Sequence, residues 1–149
     1  MKLAADASAL VAEALRRWGR AFIAHDDLEL VVAAPTWSET LYEVRRRLDQ
    51  TLQRGQIQAD EHALILAQAQ TTLNNSLTTV QDSQYGQFES EARDRIPRDP
   101  NDWPTVALAM ALGCGIWAQD RDFFGCGVPV WTTETLLTHV EAGRARRSR

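Results

Sequence analysis

RDPNDWPTVALAMALGCGIWAQDRDFFGCG, residues Arg98–Gly127, places acids at both ends of a long apolar run: Asp99 and Asp102 before it, Asp120 and Asp122 after it. The run itself is two elements. Its Ala-rich half predicts a helix over Asp102–Leu112, with Pro104 tolerated in the first turn and Gly113 just past the end. GIWAQ, 115–119, then reads as a strand.

Working outward, the same alternation continues. KLAA (2–5) is a short extended stretch, followed by a helix over Ser8–Trp18 with Leu10, Val11, Ala14 and Leu15 on one face and Gly19 after it. LELVVAA (28–34) is an apolar, β-branched strand stopped by Pro35. Thr36–Arg54 carries Trp37, Leu41, Val44, Leu48 and Leu52 at helical spacing and closes at Gly55. Further elements are a Gln- and Ala-rich helix over Ala59–Leu73, a strand at LTTVQ (77–81) and a helix over Tyr85–Ile96 ended by Pro97. The strand VPVW (128–131) and a last helix over Thr132–Gly143 complete the chain. Strands separated by helices predict a three-layer α/β/α fold with a central, mainly parallel sheet of four or five strands. No linker or repeat divides residues 1–143, which are expected to be a single domain.

Composition narrows the function. The 149 residues contain no apolar run of the ~20 residues that a membrane span needs, and no signal pattern opens the chain, so a cytoplasmic protein is expected. Cys114 and Cys126 form no CxxC pair, and His25, His62 and His139 are scattered, which argues against a zinc site. The formal charge is −4, but four arginines crowd the last six residues. Residues 1–143 therefore hold 12 basic and 20 acidic groups, and residues 144–149 are expected to be a disordered basic tail.

The acids now acquire a geometry. In open α/β sheets, ligands bind beyond the carboxyl ends of the strands. Asp6 follows the first strand, Asp120 follows GIWAQ, Asp102 opens the helix leading into that strand, and Glu39 lies in the first turn after the second strand. Helix capping explains one acid near residue 102, yet Asp99 and Asn101 offer similar caps. Like charges at ~4 Å cost several kcal/mol in a partly buried cleft at an effective dielectric near 20. A divalent cation removes that cost, and an all-oxygen donor set selects magnesium or manganese over zinc.

These residues resemble the PIN-domain nucleases, of the kind found as the toxin of VapC-type toxin–antitoxin pairs. DASAL (6–10) is similar to the opening Asp-x-Ser motif and TWSETLYEV (36–44) to the segment carrying the helix Glu. DWPTVALAMALG (102–113) is similar to the Asp-led helix and QDRDFF (119–124) to the closing Asp-x-Asp-Phe. The resemblance implies a PIN-like fold, a catalytic and metal-binding quartet of Asp6, Glu39, Asp102 and Asp120, and Asp122 as a further metal ligand. It also implies Mg2+ or Mn2+ as cofactor, RNA as substrate cut to a 5′-phosphate and a 3′-hydroxyl, a small antitoxin partner, and a homodimer. For the dimer, helix 59–73 and the helix before it offer a surface. Ala118 departs from the family pattern, which often has Thr or Ser two residues before the closing Asp.

With no His, Lys or Cys cluster near the acids, water activated by a metal ion is the expected nucleophile. Ser8, Arg98, Arg121 and Trp103 are the candidate substrate contacts. Glu43 and Arg45–Arg47 are read as solvated helix surface, and the remaining tryptophans as core. A response-regulator-like domain would share the fold but needs a Lys at a later strand end, and Lys2 is the only lysine. The alternative within the resemblance is a non-catalytic PIN-fold protein acting through partner or RNA binding, against which the full set of acids argues.

Overall fold

The computed structural model describes residues 1–149 and contains one five-stranded sheet. Its strands are β1 (Lys2–Ala5), β2 (Glu29–Ala33), β3 (Leu77–Val80), β4 (Gly115–Trp117) and β5 (Val130–Trp131), in the order β3-β2-β1-β4-β5. All four pairings are parallel. Seven α-helices cover the two faces: α1 (Ala7–Ala14), α2 (Arg17–Ile23), α3 (Ala34–Gln53), α4 (Ala59–Ser76), α5 (Glu89–Arg95), α6 (Trp103–Leu112) and α7 (Thr133–Arg147). The expected three-layer α/β/α architecture is the one observed, with a sheet that is wholly parallel.

Period-two alternation splits the strands between two cores. Leu3, Ala5, Leu30, Val32 and Trp117 face one side, with α1 to α4 and α7. Ala4, Val31, Ala33, Ile116 and Ala118 face the other, with α5 and α6. Trp117 is fully buried; its indole N–H donates to Thr133 Oγ1 at 3.1 Å, and its ring meets Phe22 edge-on at 5.8 Å. The chain leaves β1 toward β2 and β3 on one side and returns to β4 and β5 on the other. This reversal of strand order opens a crevice at the carboxyl ends of β1 and β4.

Several expected boundaries move, for identifiable reasons. The helix expected over Ser8–Trp18 is two helices, and Gly19 lies inside α2 rather than after a helix end. A Cβ on Gly19 would collide with the Glu13 backbone, so glycine is needed there to bring α2 against α1. Pro35 does not delay α3 to Thr36, because it sits in the first turn, where its missing N–H costs nothing. The helix expected over Tyr85–Ile96 shortens to α5, preceded by 3-10 turns at Asp82–Gln84 and Gly86–Phe88. Gly86 lies against the Asp82 carboxylate and disfavours a continuous helix. The last helix, expected to end at Gly143, continues as α7 to Arg147, whose guanidinium bonds Asp27 at 2.6 Å.

Candidate active site

Asp6 is the last word of β1 and the first of α1. Its N–H donates to the Trp117 carbonyl at 2.9 Å, which ties it to β4, and its side chain caps α1. Oδ2 accepts from the Ser8 N–H at 3.0 Å and the Ser8 hydroxyl at 2.6 Å, while Oδ1 accepts from Thr105 Oγ1 of α6 at 3.3 Å. The Ser8 hydroxyl in turn accepts from the backbone N–H groups of Gln119 and Asp120, at 3.0 and 3.3 Å. One hydroxyl thus joins the loop after β1 to the loop after β4.

Asp120 opens the 3-10 turn Arg121–Phe123, its Oδ1 accepting from the Asp122 N–H at 2.9 Å. Asp102 stands at the start of α6 but makes no side-chain capping bond, so its carboxylate is not consumed by the helix. Glu39 projects from α3, between the buried Thr36 and Thr40. These four acids line one cleft of about 220 Å³, together with Asp99, Glu43 and Arg47. Six carboxylates there face a single arginine.

The electrostatics follow from that crowding. Burial, then the charges of Asp6, Asp99, Glu39 and Asp120, push the Asp102 carboxyl up to about 7. Burial, then Asp6, Glu43 and Asp99, also push Glu39 up, although Glu39 is exposed as a residue. Asp6 is raised by burial despite its hydrogen bonds. Glu43 goes the other way, because Arg46 bonds it at 2.7 Å. No group of three or more Asp, Glu, His or Cys side chains is drawn together as a closed metal-binding set.

The sequence-predicted residues separate accordingly. Asp6, Glu39, Asp102 and Asp120 come together as expected from their places in the fold. Asp122 does not line the cleft, and its backbone N–H serves Asp120 instead. Ser8 lines the cleft, with its hydroxyl engaged by Asp6 and two backbone amides. Arg98 is exposed and does not line the cleft, and Arg121 lines the neighbouring pocket. Trp103 packs beside Tyr85 under the Arg93 guanidinium, 5.4 Å from its ring centre. Asp99 and Glu43, read from sequence as a cap and as surface, both face the cleft. Ala118 is fully buried, so the hydroxyl often found there in the family is replaced by a methyl group in the core.

The raised Asp102 carboxyl predicts a pH dependence. Between its ordinary value of 3.8 and about 7, the folded chain holds a proton that the unfolded chain has lost, so stability falls as pH rises through that window. The full shift corresponds to ~4 kcal/mol, which solvent exposure and the α6 N-terminus reduce to about 1 kcal/mol. Metal-free protein should therefore resist urea better near about pH 5 than near about pH 8, and Asp102→Asn should flatten the difference. A wild-type curve that is flat or rises across the window contradicts the crowding described above.

A protein-family model described as PIN domain matches residues 5–141. Among solved structures, PAE2754 from Pyrobaculum aerophilum superposes with a TM-score of 0.68 at 22% identity, over 95% of this chain and 90% of its own. That likeness is one of fold. No curated protein matches the chain.

Proposed function

Since the chain belongs to the PIN-domain family, whose members are generally nucleases using divalent metal ions, we propose that it is a metal-dependent endoribonuclease and that the acidic cleft is its active site. One observation carries the proposal: acids from the β1 end, α3, the α6 start and the β4 loop face a single space, where burial and the charges of neighbouring acids raise the carboxyls of Asp102 and Glu39. A folded chain keeps such repulsion when something of opposite charge uses it.

The donors fit magnesium or manganese, being carboxylates without a histidine or thiol among them. Asp6, Glu39, Asp102 and Asp120 would hold the ion. When bound, a divalent cation offsets the charge of a phosphodiester and makes water a better nucleophile near neutral pH. The chain's own contribution is placement. Ser8 and Thr105 fix the Asp6 carboxylate, and Ser8 fixes the backbone that carries Asp120. Arg47 supplies the one positive charge on the cleft wall. Attack of water on phosphorus then breaks the bond to the 3′-oxygen, leaving a 3′-hydroxyl and a 5′-phosphate.

The proposal extends to a cytoplasmic toxin of a toxin–antitoxin pair, supported by the motif resemblance. A homodimer is supported by Tyr42 of α3 and Leu64 of α4, which are 66% and 58% exposed on the helices named for that surface. No helix is long and apolar enough to cross a membrane. Co-expression with the neighbouring reading frame tests for a small antitoxin.

Purified protein incubated with single-stranded RNA should cut it with Mg2+ or Mn2+ and not in chelator. Saturating Mn2+ should also raise the melting temperature by about 3 °C or more, through binding to the folded state alone, and Asp6→Asn should remove that rise. Folded protein that neither cuts RNA nor responds to either ion supports the non-catalytic alternative.

A further inference from the structure

Beside the acidic cleft lies a second, larger pocket of about 600 Å³. The two share a wall. Asp120 lines the cleft, whereas its chain neighbours Gln119 and Arg121 line the pocket. Adjacent Cα atoms are only ~3.8 Å apart, so anything filling the pocket lies alongside the acids. Gln119 stiffens the wall by donating through Nε2 to Thr133 Oγ1 at 2.8 Å.

Trp18 and Phe124, 49% and 53% exposed, both line this pocket and are the only large aromatic side chains besides Tyr42 left so open. The Trp18 indole is stacked on Phe22 at 5.3 Å and 8°, which holds the ring in one orientation. Two cations accompany the rings. Arg16 is anchored by Glu13 at 2.5 Å, yet its side chain remains 61% exposed. Glu13 is itself fully buried, with its second oxygen unpartnered, so it serves as a fixed post for Arg16. Arg121 is exposed and bonded to nothing. Glu13 and Glu134 balance the two arginines, which leaves the pocket near neutral beside a cleft with five more acids than bases.

We propose that this pocket is the subsite for a nucleotide of single-stranded RNA next to the bond being cut, a proposal that rests on the nuclease function above. A base stacks on the fixed face of Trp18 or against Phe124, because every base offers a π-face to an aromatic ring. Its phosphate meets Arg16 or Arg121, which offer donors beside a cleft whose wall carries one arginine among six carboxylates. Aromatic rings rimmed by arginine, Gln and Thr suit a nucleotide better than a helix of a protein partner, which needs a continuous apolar stripe. Duplex RNA cannot use the rings, since its bases are already stacked.

Three variants test the proposal: Trp18→Ala, Phe124→Ala and Arg121→Ala. The first readout is fluorescence anisotropy of a labelled single-stranded RNA of about 12 nucleotides, in calcium. The second is manganese-dependent hydrolysis of bis(p-nitrophenyl) phosphate, a diester too small to span both sites. Each variant should bind RNA about tenfold more weakly, with Trp18→Phe restoring most affinity, while hydrolysis of the small diester by Trp18→Ala and Phe124→Ala stays within about twofold of wild type. RNA affinity unchanged in all three variants overturns the proposal and leaves the pocket to a polypeptide. The exposed Phe124 and Arg121 keep this decisive even where Trp18→Ala is poorly folded. Wild-type protein that binds RNA through Trp18 but hydrolyses neither RNA nor the small diester defeats the nuclease function and leaves the subsite standing. Wild-type protein that hydrolyses the small diester but binds no RNA does the reverse.

Discussion

Asp120→Asn should lower metal-dependent RNA cleavage about a thousandfold, and Asp6→Asn by a similar factor. Asparagine keeps one oxygen, which accepts from the Asp122 N–H in the one case and from Ser8 in the other, so Asp120→Asn keeps its local hydrogen bond and Asp6→Asn gives up only the long one accepted from Thr105. What it removes is one negative charge from the set that would hold the cation. Charge stabilisation by a bound metal is worth several kcal/mol in the transition state, and each ~1.4 kcal/mol is a factor of ten in rate. Single-turnover cleavage with saturating Mn2+ measures the loss, and urea unfolding of metal-free protein provides the control. If both variants cut RNA within about tenfold of wild type, the quartet is not the active site. If both instead lose more than about 1 kcal/mol of metal-free stability, the acids are structural.

Ser8→Ala should cost about 10- to 100-fold in the same assay while leaving the cation-binding carboxylates in the chain. The Ser8 hydroxyl donates to Asp6 and accepts from the amides of Gln119 and Asp120, so its removal loosens one bond to the Asp6 carboxylate and the backbone that carries Asp120. It also strips a carboxylate of a short bond, worth roughly 1–2 kcal/mol of stability. Ser8→Thr keeps the hydroxyl and should recover much of the lost rate. A loss of stability in Ser8→Ala with the rate unaffected would make the Ser8 hydroxyl a brace of the fold and nothing more.

The places of the four acids could be read from sequence because each follows a strand end or opens a helix, positions that parallel topology carries to one edge. The apolar, β-branched run LELVVAA and the Ala-rich run after Asp102 are local signals, and they located β2 and α6 within a residue or two. What could not be read required distances between elements. Asp99 looks like a cap in sequence, and it does accept from the Asn101 N–H at 3.2 Å, yet it also faces Asp102 across the cleft. Glu43 and Arg47 sit one and two turns beyond Glu39, and only the angle of α3 against the sheet puts them on the cleft wall. The exposure of Trp18 was hidden for a different reason. Gly19 resembles a helix terminator until the packing of α2 on α1 shows why a side chain is excluded, and that packing turns Trp18 outward. Trp103, beside Asp102 in sequence, is meanwhile covered by Tyr85 and Arg93.

Strand order has a consequence for how and when the protein becomes active. The central strand, β1, precedes the other four in the chain, and its partner on one side, β4, is more than a hundred residues away: Ala5 pairs with Trp117. Closing so long a loop is slow compared with forming β1–β2 and the helices between them. On the ribosome, β1, β2 and β3 can assemble while the sheet still lacks half of its middle strand's hydrogen bonds and the cleft still lacks Asp120. The last acid therefore arrives with the last seam of the sheet, and a nascent or truncated chain ending before residue 117 carries neither. Under the proposed ribonuclease function, the fold itself delays activity until the residues beyond 117 have been made.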